Sequence, residues 1–86
     1  MRRARPGEVQ FLRAAVALWR GPRLPNGLPA RHKLVPRMFN LHQLAIGTTV
    51  EREHTSDPAV ALEIAMAHLF EDRAYYAKLE RMEAGR

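Results

Sequence analysis

Two histidines and several carboxylates stand at helix-like spacing in the second half of the chain. Glu51 precedes His54 by three residues, and His68 precedes Glu71 by three. Residues three or four apart share one face of a helix, so each pair can point in one direction. Imidazole nitrogen and carboxylate oxygen are common ligands of divalent metals. These four residues are therefore the candidate metal ligands. If they bind a metal ion, a small metal-dependent enzyme is one candidate function.

The same residues have a structural explanation that needs no metal. The spacing lacks the His-Glu-x-x-His pattern, in which two imidazoles share one helix face. His54 can instead hydrogen-bond the turn that leads to Asp57, and His68 can pack beside Ile64. Buried polar groups usually find internal partners of this kind. The structural explanation is preferred, and no cofactor is predicted.

Other catalytic arrangements are missing from the sequence. It contains no cysteine, which excludes a thiolate nucleophile, a thiolate zinc site and a disulfide. Neither a glycine-rich phosphate loop nor a serine-histidine-aspartate arrangement is recognisable. Tyr75 and Tyr76 point to different sides of a helix, so one can pack in the core while the other lies at its rim. A protein without enzymatic activity is predicted.

Helix signals indicate which elements position these side chains. Asp57 and Pro58 provide a cap and a first helical residue for an apolar segment, predicted as the central helix. Asp72 is predicted to cap the last helix. The inner stripe of that last helix is predicted to be Tyr75, Leu79 and Met82.

A short helix is predicted to begin near residue 39, with Asn40 as its cap and Gly47 as the residue that ends it. The segment after Gly47, TTVEREHTS, is ambiguous between strand and helix. Helix is the preferred prediction for it.

The first part of the chain combines an amphipathic helix with a proline-rich connector. The segment EVQFLRAAVALWR repeats apolar residues at helical spacing and ends at Gly21 and Pro22. Its apolar face is predicted to pack on the protein's own core, with docking on another chain as the alternative. Four of the six prolines lie in residues 21–38, so this segment is predicted to be an extended arm. The apolar residues expected to bind a partner are Trp19, Leu24, Leu28, Leu34 and Val35.

These elements predict an all-α fold. It is a small bundle of three to four short helices preceded by the proline-rich extended arm. Residues 1–38 are predicted to form the basic N-terminal helix and arm, and residues 39–86 a compact helical module.

Charge is divided unequally along the chain. Residues 1–37 carry nine basic residues and one acid, a balance of +8, whereas residues 38–86 carry five basic residues and eight acids, a balance of −3. A basic surface of this kind favours contact with phosphate groups or with acidic proteins, and the split also allows head-to-tail attraction between copies. The arginines that would contact nucleic acid in the first case are Arg2, Arg3, Arg5, Arg13, Arg20 and Arg23.

The pattern of residues 39–83 resembles a small family of unknown function associated with tailed bacteriophages. The shared pattern comprises Gly-x-x-Val-Glu-x-Glu-His-Thr, Asp-Pro, a helix that ends in His-Leu-x-Glu-Asp, and Tyr-Tyr. Those positions are Gly47, Val50, Glu51, Glu53, His54, Thr55, Asp57, Pro58, His68, Leu69, Glu71, Asp72, Tyr75 and Tyr76.

The resemblance implies a bacteriophage setting. Combined with the basic arm, it leads us to expect a non-enzymatic structural or assembly protein, such as a small capsid, connector or tail component. This protein would dock on neighbouring phage subunits through its basic arm. A nucleic-acid-contacting accessory protein is the alternative. No apolar run is long enough to cross a membrane, so the expected location is the virion or the host cytoplasm.

Overall fold

Four α-helices make up most of the part of the chain that the structure describes. The computed structural model describes residues 2–24 and 31–85. The helices are α1 (Pro6–Leu18), α2 (Leu41–Val50), α3 (Pro58–Glu71) and α4 (Tyr75–Ala84), with 3₁₀ turns at Pro36–Met38 and Glu51–Glu53. Within the described ranges there is no strand, which confirms the predicted all-α class. None of the helices in these ranges is long and apolar enough to cross a membrane.

Side-chain caps fix where the two central helices begin. The Asn40 carboxamide accepts the Gln43 N–H at 3.0 Å, and the Asp57 carboxylate accepts the Ala59 N–H at 2.9 Å. Both contacts satisfy backbone donors that lack a partner in the first turn of a helix. The two predicted caps are confirmed. Asp72 ends α3 instead of capping α4 directly, because the N-cap of α4 is Ala74.

The core lies where α1, α2 and α3 pack on one another, and α4 packs more loosely on α2 and α3. Helix α2 is buried on all sides from Gln43 to Thr48, and α3 is buried over most of its circumference. Small residues at the contacts, such as Ala15, Ala45 and Ala65, are fully buried and let the helix axes approach closely. The larger side chains of this core are Leu12, Leu34, Leu44, Ile46, Leu62, Met66, Leu69 and Tyr76.

The core extends across residue 38, where the sequence analysis places a boundary between an arm and a module. Leu12 on α1 and Leu34 in the connector are 3% and 2% exposed and belong to the same apolar cluster as α2 and α3. The reason is the shortage of apolar material in so short a chain, since a small domain buries only part of its surface. Helix α1 therefore packs on the protein's own core, as preferred from the sequence.

Gly47 lies inside α2 and does not end it. The helix continues to Val50, so the predicted stop at Gly47 is wrong. The glycine is instead the point where the Tyr76 ring packs against α2. A Cβ atom at position 47 would lie 2.7 Å from Tyr76 Cζ and closer still to the ring edge. This tight contact, and not a left-handed backbone conformation, explains the glycine.

The apolar stripe predicted for the inner face of α4 lies at the edge of the core, with Tyr75 and Leu79 packed against it and Met82 outside it. Tyr76 is fully buried, whereas Met82 is 66% exposed and Tyr75 and Leu79 are partly exposed. The helix is therefore turned so that Tyr76 enters the contact with Gly47. The prediction of an inner stripe is therefore confirmed for Tyr75 and Leu79, which pack against the core, and is wrong for Met82.

We expect Gly47→Ala to destabilise the fold by about 1–3 kcal/mol, the usual cost of forcing an extra methyl group into a packed core. Alanine has the higher helix propensity, by about 1 kcal/mol, so a substitution without the ring contact would stabilise. Gly7→Ala is the matched control, because a Cβ at Gly7 in α1 meets nothing within 4 Å. Urea unfolding followed by far-UV circular dichroism measures both. A Gly47→Ala variant as stable as Gly7→Ala would contradict the contact.

Candidate functional site

The structure brings four of the singled-out residues together at the end of α2. Glu51 is 4% exposed, and its Oε2 accepts the Tyr76 hydroxyl at 2.7 Å. The same oxygen lies 3.7 Å from His68 Nε2. The His68 imidazole stacks on the Tyr75 ring, with centroids 4.1 Å apart and an interplanar angle of 3°. These side chains link the 3₁₀ turn that contains Glu51 to α3 and α4 by polar contacts.

His54 and Glu71 do not complete a metal site with these residues. His54 is exposed and lines an open cavity of about 440 Å³ together with Glu51 and His68. Glu71 is exposed and does not line that cavity. Among residues 2–24 and 31–85, no group of three histidine or carboxylate side chains is arranged to hold a metal ion. Of the four predicted ligands, the structure thus brings only Glu51 and His68 together, and these two are not a pair that the three-residue spacing indicated.

Burial raises the pKa of the Tyr76 phenol well above its ordinary value, and the hydrogen bond to Glu51 raises it further. The phenol thus keeps its proton and donates a hydrogen bond to the buried carboxylate. A catalytic acid or base needs a pKa near the working pH. The contact of Tyr76 with Glu51 therefore fits a structural hydrogen bond.

A second buried carboxylate, Glu63 on α3, binds the segment that follows α1. Glu63 is fully buried. Its Oε1 accepts the Trp19 Nε1–H at 2.9 Å and the Arg23 N–H at 2.5 Å, and its Oε2 accepts the Leu24 N–H at 3.0 Å. A buried carboxylate is costly unless such donors satisfy it. The sequence analysis does not single out Glu63, although this residue interrupts an otherwise apolar helix, and that interruption is the signal that could have identified it.

The turn at Gly21 directs these donors toward Glu63. Gly21 has a φ of 109°, a conformation that residues with a Cβ rarely adopt. The two N–H groups that bind Glu63 follow within three residues. A salt bridge from Arg23 to Asp57, 2.9 Å long, reinforces the same connection at the surface. We call Glu63 and its three donors the Glu63 clamp.

The residues predicted to bind a partner mostly face the protein itself. Leu34 is 2% exposed, and Trp19 packs against the core and is held by the Glu63 clamp. Leu24 and Val35 are partly buried, and Leu28 lies outside the described residues. Leu34 therefore has almost no surface to offer a partner.

The six arginines of the nucleic-acid alternative divide into two groups. Arg2 pairs with Glu8 at 2.8 Å and with Glu80 at 3.0 Å, and its hydrogen bonds lower the pKa of Glu8 to about 2. Arg23 pairs with Asp57. The remaining four are exposed, namely Arg3, Arg5, Arg13 and Arg20.

An exposed apolar groove lies between α1 and the start of α2. Its volume is about 420 Å³. Val16 and Leu41 form exposed walls, 40% and 50% accessible, and the exposed side chains of Arg13 and Arg37 stand at its edge. The other lining residues are Leu12, Pro36, Phe39 and Leu44. We call this surface the arginine-flanked groove.

The comparisons with known proteins identify a family. Residues 26–85 match a family described as "Protein of unknown function (DUF5661)". The match includes all of α2, α3 and α4 and confirms the resemblance to a family of unknown function. No curated protein and no solved structure matches the chain.

Glu63→Gln tests the clamp. The amide retains one acceptor oxygen but turns an NH₂ group toward an N–H donor, so we expect a loss of about 1–3 kcal/mol, the cost of a buried unsatisfied group. Glu71→Gln makes the same change at an exposed site on the same helix and should alter stability by less than about 0.5 kcal/mol. Equal unfolding midpoints in urea for the two variants would count against the clamp.

Tyr76→Phe should remove about 1–3 kcal/mol, because it leaves the Glu51 carboxylate without its hydroxyl donor. Tyr75→Phe is the control at a partly exposed site.

Because the folded-state pKa of Tyr76 lies above the unfolded value of about 10, the folded chain retains a proton that the unfolded chain releases. The stabilisation is thus fully present below about pH 10 and falls as the pH rises above it. Unfolding of wild type and Tyr76→Phe from pH 8 to pH 11 should show the two stabilities converging; a constant difference would contradict the assignment.

Proposed function

Because this chain belongs to the DUF5661 family of proteins of unknown function, we propose a role from its geometry: it is a non-enzymatic docking module of a protein assembly. The observation that carries the proposal is the arginine-flanked groove. Its occupant is an amphipathic helix with acidic flanks, supplied by a neighbouring subunit.

The shape and chemistry of the groove support a helix as the ligand. Helices commonly bind by laying apolar side chains spaced three or four residues apart into an apolar groove. Leu12 and Leu44 form a buried floor, while Val16 and Leu41 leave apolar surface open to solvent. Covering these side chains is favourable by about 25 cal/mol per Å² of apolar area.

Charge supports an acidic occupant. Arg13 and Arg37 stand at the groove, and residues 1–37 carry a balance of +8. Opposite charges at the rim of an interface raise association rates and select against basic partners. The rim pairs are solvent-exposed, so their contribution to affinity is small.

The setting that we propose is a bacteriophage particle or an assembly intermediate, with location in the virion or the host cytoplasm. It rests on the resemblance of residues 39–83 and on the absence of a recognisable catalytic arrangement in the sequence. Mass spectrometry of purified particles, from a phage or prophage that carries the gene, tests this setting. Absence of the chain from particles and from their precursors would remove it.

A synthetic helical peptide of leucine and glutamate, labelled with a fluorophore, tests the docking role directly. We expect it to bind wild type, and we expect Leu41→Gln to weaken binding about tenfold or more, since a buried leucine contributes about 1.5–3 kcal/mol. Leu18→Gln is the matched control, because Leu18 on α1 is 56% exposed and does not line the groove. Fluorescence anisotropy measures all three affinities.

A charge-reversed variant tests whether the helix that occupies the groove has to be acidic. Arg13→Glu combined with Arg37→Glu should weaken binding of the leucine-glutamate peptide and strengthen that of a leucine-lysine analogue. Equal affinity of wild type for the two peptides would contradict the acidic occupant. Binding of duplex DNA that falls steeply with salt, with no binding of either peptide, would favour the nucleic-acid alternative.

A further inference from the structure

We propose that the helix which fills the arginine-flanked groove is α4 of a second copy, so that the chain assembles head to tail. This inference rests on the proposed docking function and names the partner. Two partly exposed apolar surfaces of the same molecule support it, because they match in chemistry and lie at different places.

The first observation is the outer face of α4. Tyr75, Leu79 and Met82 stand at positions i, i+4 and i+7, which is the spacing of a helix that docks into a groove. Met82 is 66% exposed, and the other two are partly exposed. These three residues also line one apolar surface depression, together with Lys78. We call this face the α4 stripe.

The second observation is the charge beside the α4 stripe. Glu53 and Glu83 are exposed and line the cavity that shares Tyr75 and Leu79 with the stripe. Lys78, on the other side, is paired with Asp72 at 2.7 Å, so its charge is offset. Two exposed acids thus lie along one side of the stripe, and two exposed arginines lie at the edge of the groove.

The third observation is that the two surfaces share no residue. The groove is lined by α1, the 3₁₀ turn at Pro36–Met38 and the start of α2. The stripe lies near the end of α2, where Val50 and Glu51 line the adjoining cavity. A ten-residue helix spans about 15 Å, which separates the two ends of α2. Contact between different surfaces on two copies is heterologous, and it continues into a ring or a filament.

Analytical ultracentrifugation over a wide concentration range tests the assembly. We expect the weight-average mass of wild type to rise from 9.8 kDa past the mass of two chains, and to fall when salt screens the flanking charges. A contact through one helix is small, so the association should depend on concentration. A plateau at the mass of two chains would overturn the head-to-tail arrangement, because in a closed two-fold dimer both surfaces of each copy are already occupied.

Two variants make the test specific. Leu41→Gln disables the groove and keeps the stripe, while Met82→Gln disables the stripe and keeps the groove. Each alone should stay monomeric at concentrations where wild type associates, and an equimolar mixture should form a dimer and stop there. Circular dichroism confirms that both remain folded, and Leu18→Gln, outside both surfaces, should associate as wild type does. Monomeric behaviour of the mixture, or wild-type association of both variants, would overturn the head-to-tail contact.

The outcome also separates this inference from the docking role. A wild-type chain that stays monomeric but binds the leucine-glutamate peptide would exclude α4 as the occupant and leave the docking role standing. A chain that stays monomeric and binds no peptide would exclude both.

Discussion

Glu63 joins parts of the chain that lie 39 to 44 residues apart. Its carboxylate, buried inside α3, accepts N–H groups from Trp19, Arg23 and Leu24. A carboxylate in this position is unfavourable without donors, and backbone N–H groups in a connector are unfavourable without acceptors. Each therefore requires the other. The chain after α1 has to turn at Gly21 and lie along α3, and this fixes the position at which α1 ends.

The position of α1 in turn determines the surface available for binding. Leu12 and Ala15 attach α1 to the core, while Arg13 and Val16, on a neighbouring part of the same helix, form one wall of the arginine-flanked groove. Movement of α1 would separate that wall from Leu41 and Leu44 on α2. The exposed groove thus depends on the Glu63 clamp, which holds the end of α1. The carboxylate of that clamp is buried away from water.

Local signals were sufficient for most of the fold and insufficient for the polar contacts. Asn40 and Asp57 cap helices because their side chains bind N–H groups two or three residues away, and such contacts depend only on nearby sequence. Gly47 was misread because the Tyr76 ring that explains it comes from another helix. The same holds for the α4 stripe, since helical periodicity identifies an apolar face but not which of two adjacent tyrosines enters the core. Glu63 shows the limit most clearly, because its donors lie in a proline-rich segment with no periodicity.

The histidine and carboxylate residues illustrate a related limit. The three-residue spacing predicted that Glu51 and His54 would share a direction, but Glu51 is buried against Tyr76 while His54 is exposed. The 3₁₀ turn at Glu51–Glu53 changes the rotation per residue relative to an α-helix. Convergence of ligands depends on such small rotations, and sequence spacing does not specify them.

Trp19 is the sole tryptophan of the chain, and its indole N–H ends on the Glu63 carboxylate. Indole emission responds to the polarity and hydrogen bonding around the ring. The protein therefore contains an intrinsic optical reporter located at the joint between α1 and α3. Its emission distinguishes a connector that is bound to Glu63 from one that has detached, even where the helical content of the molecule is unchanged.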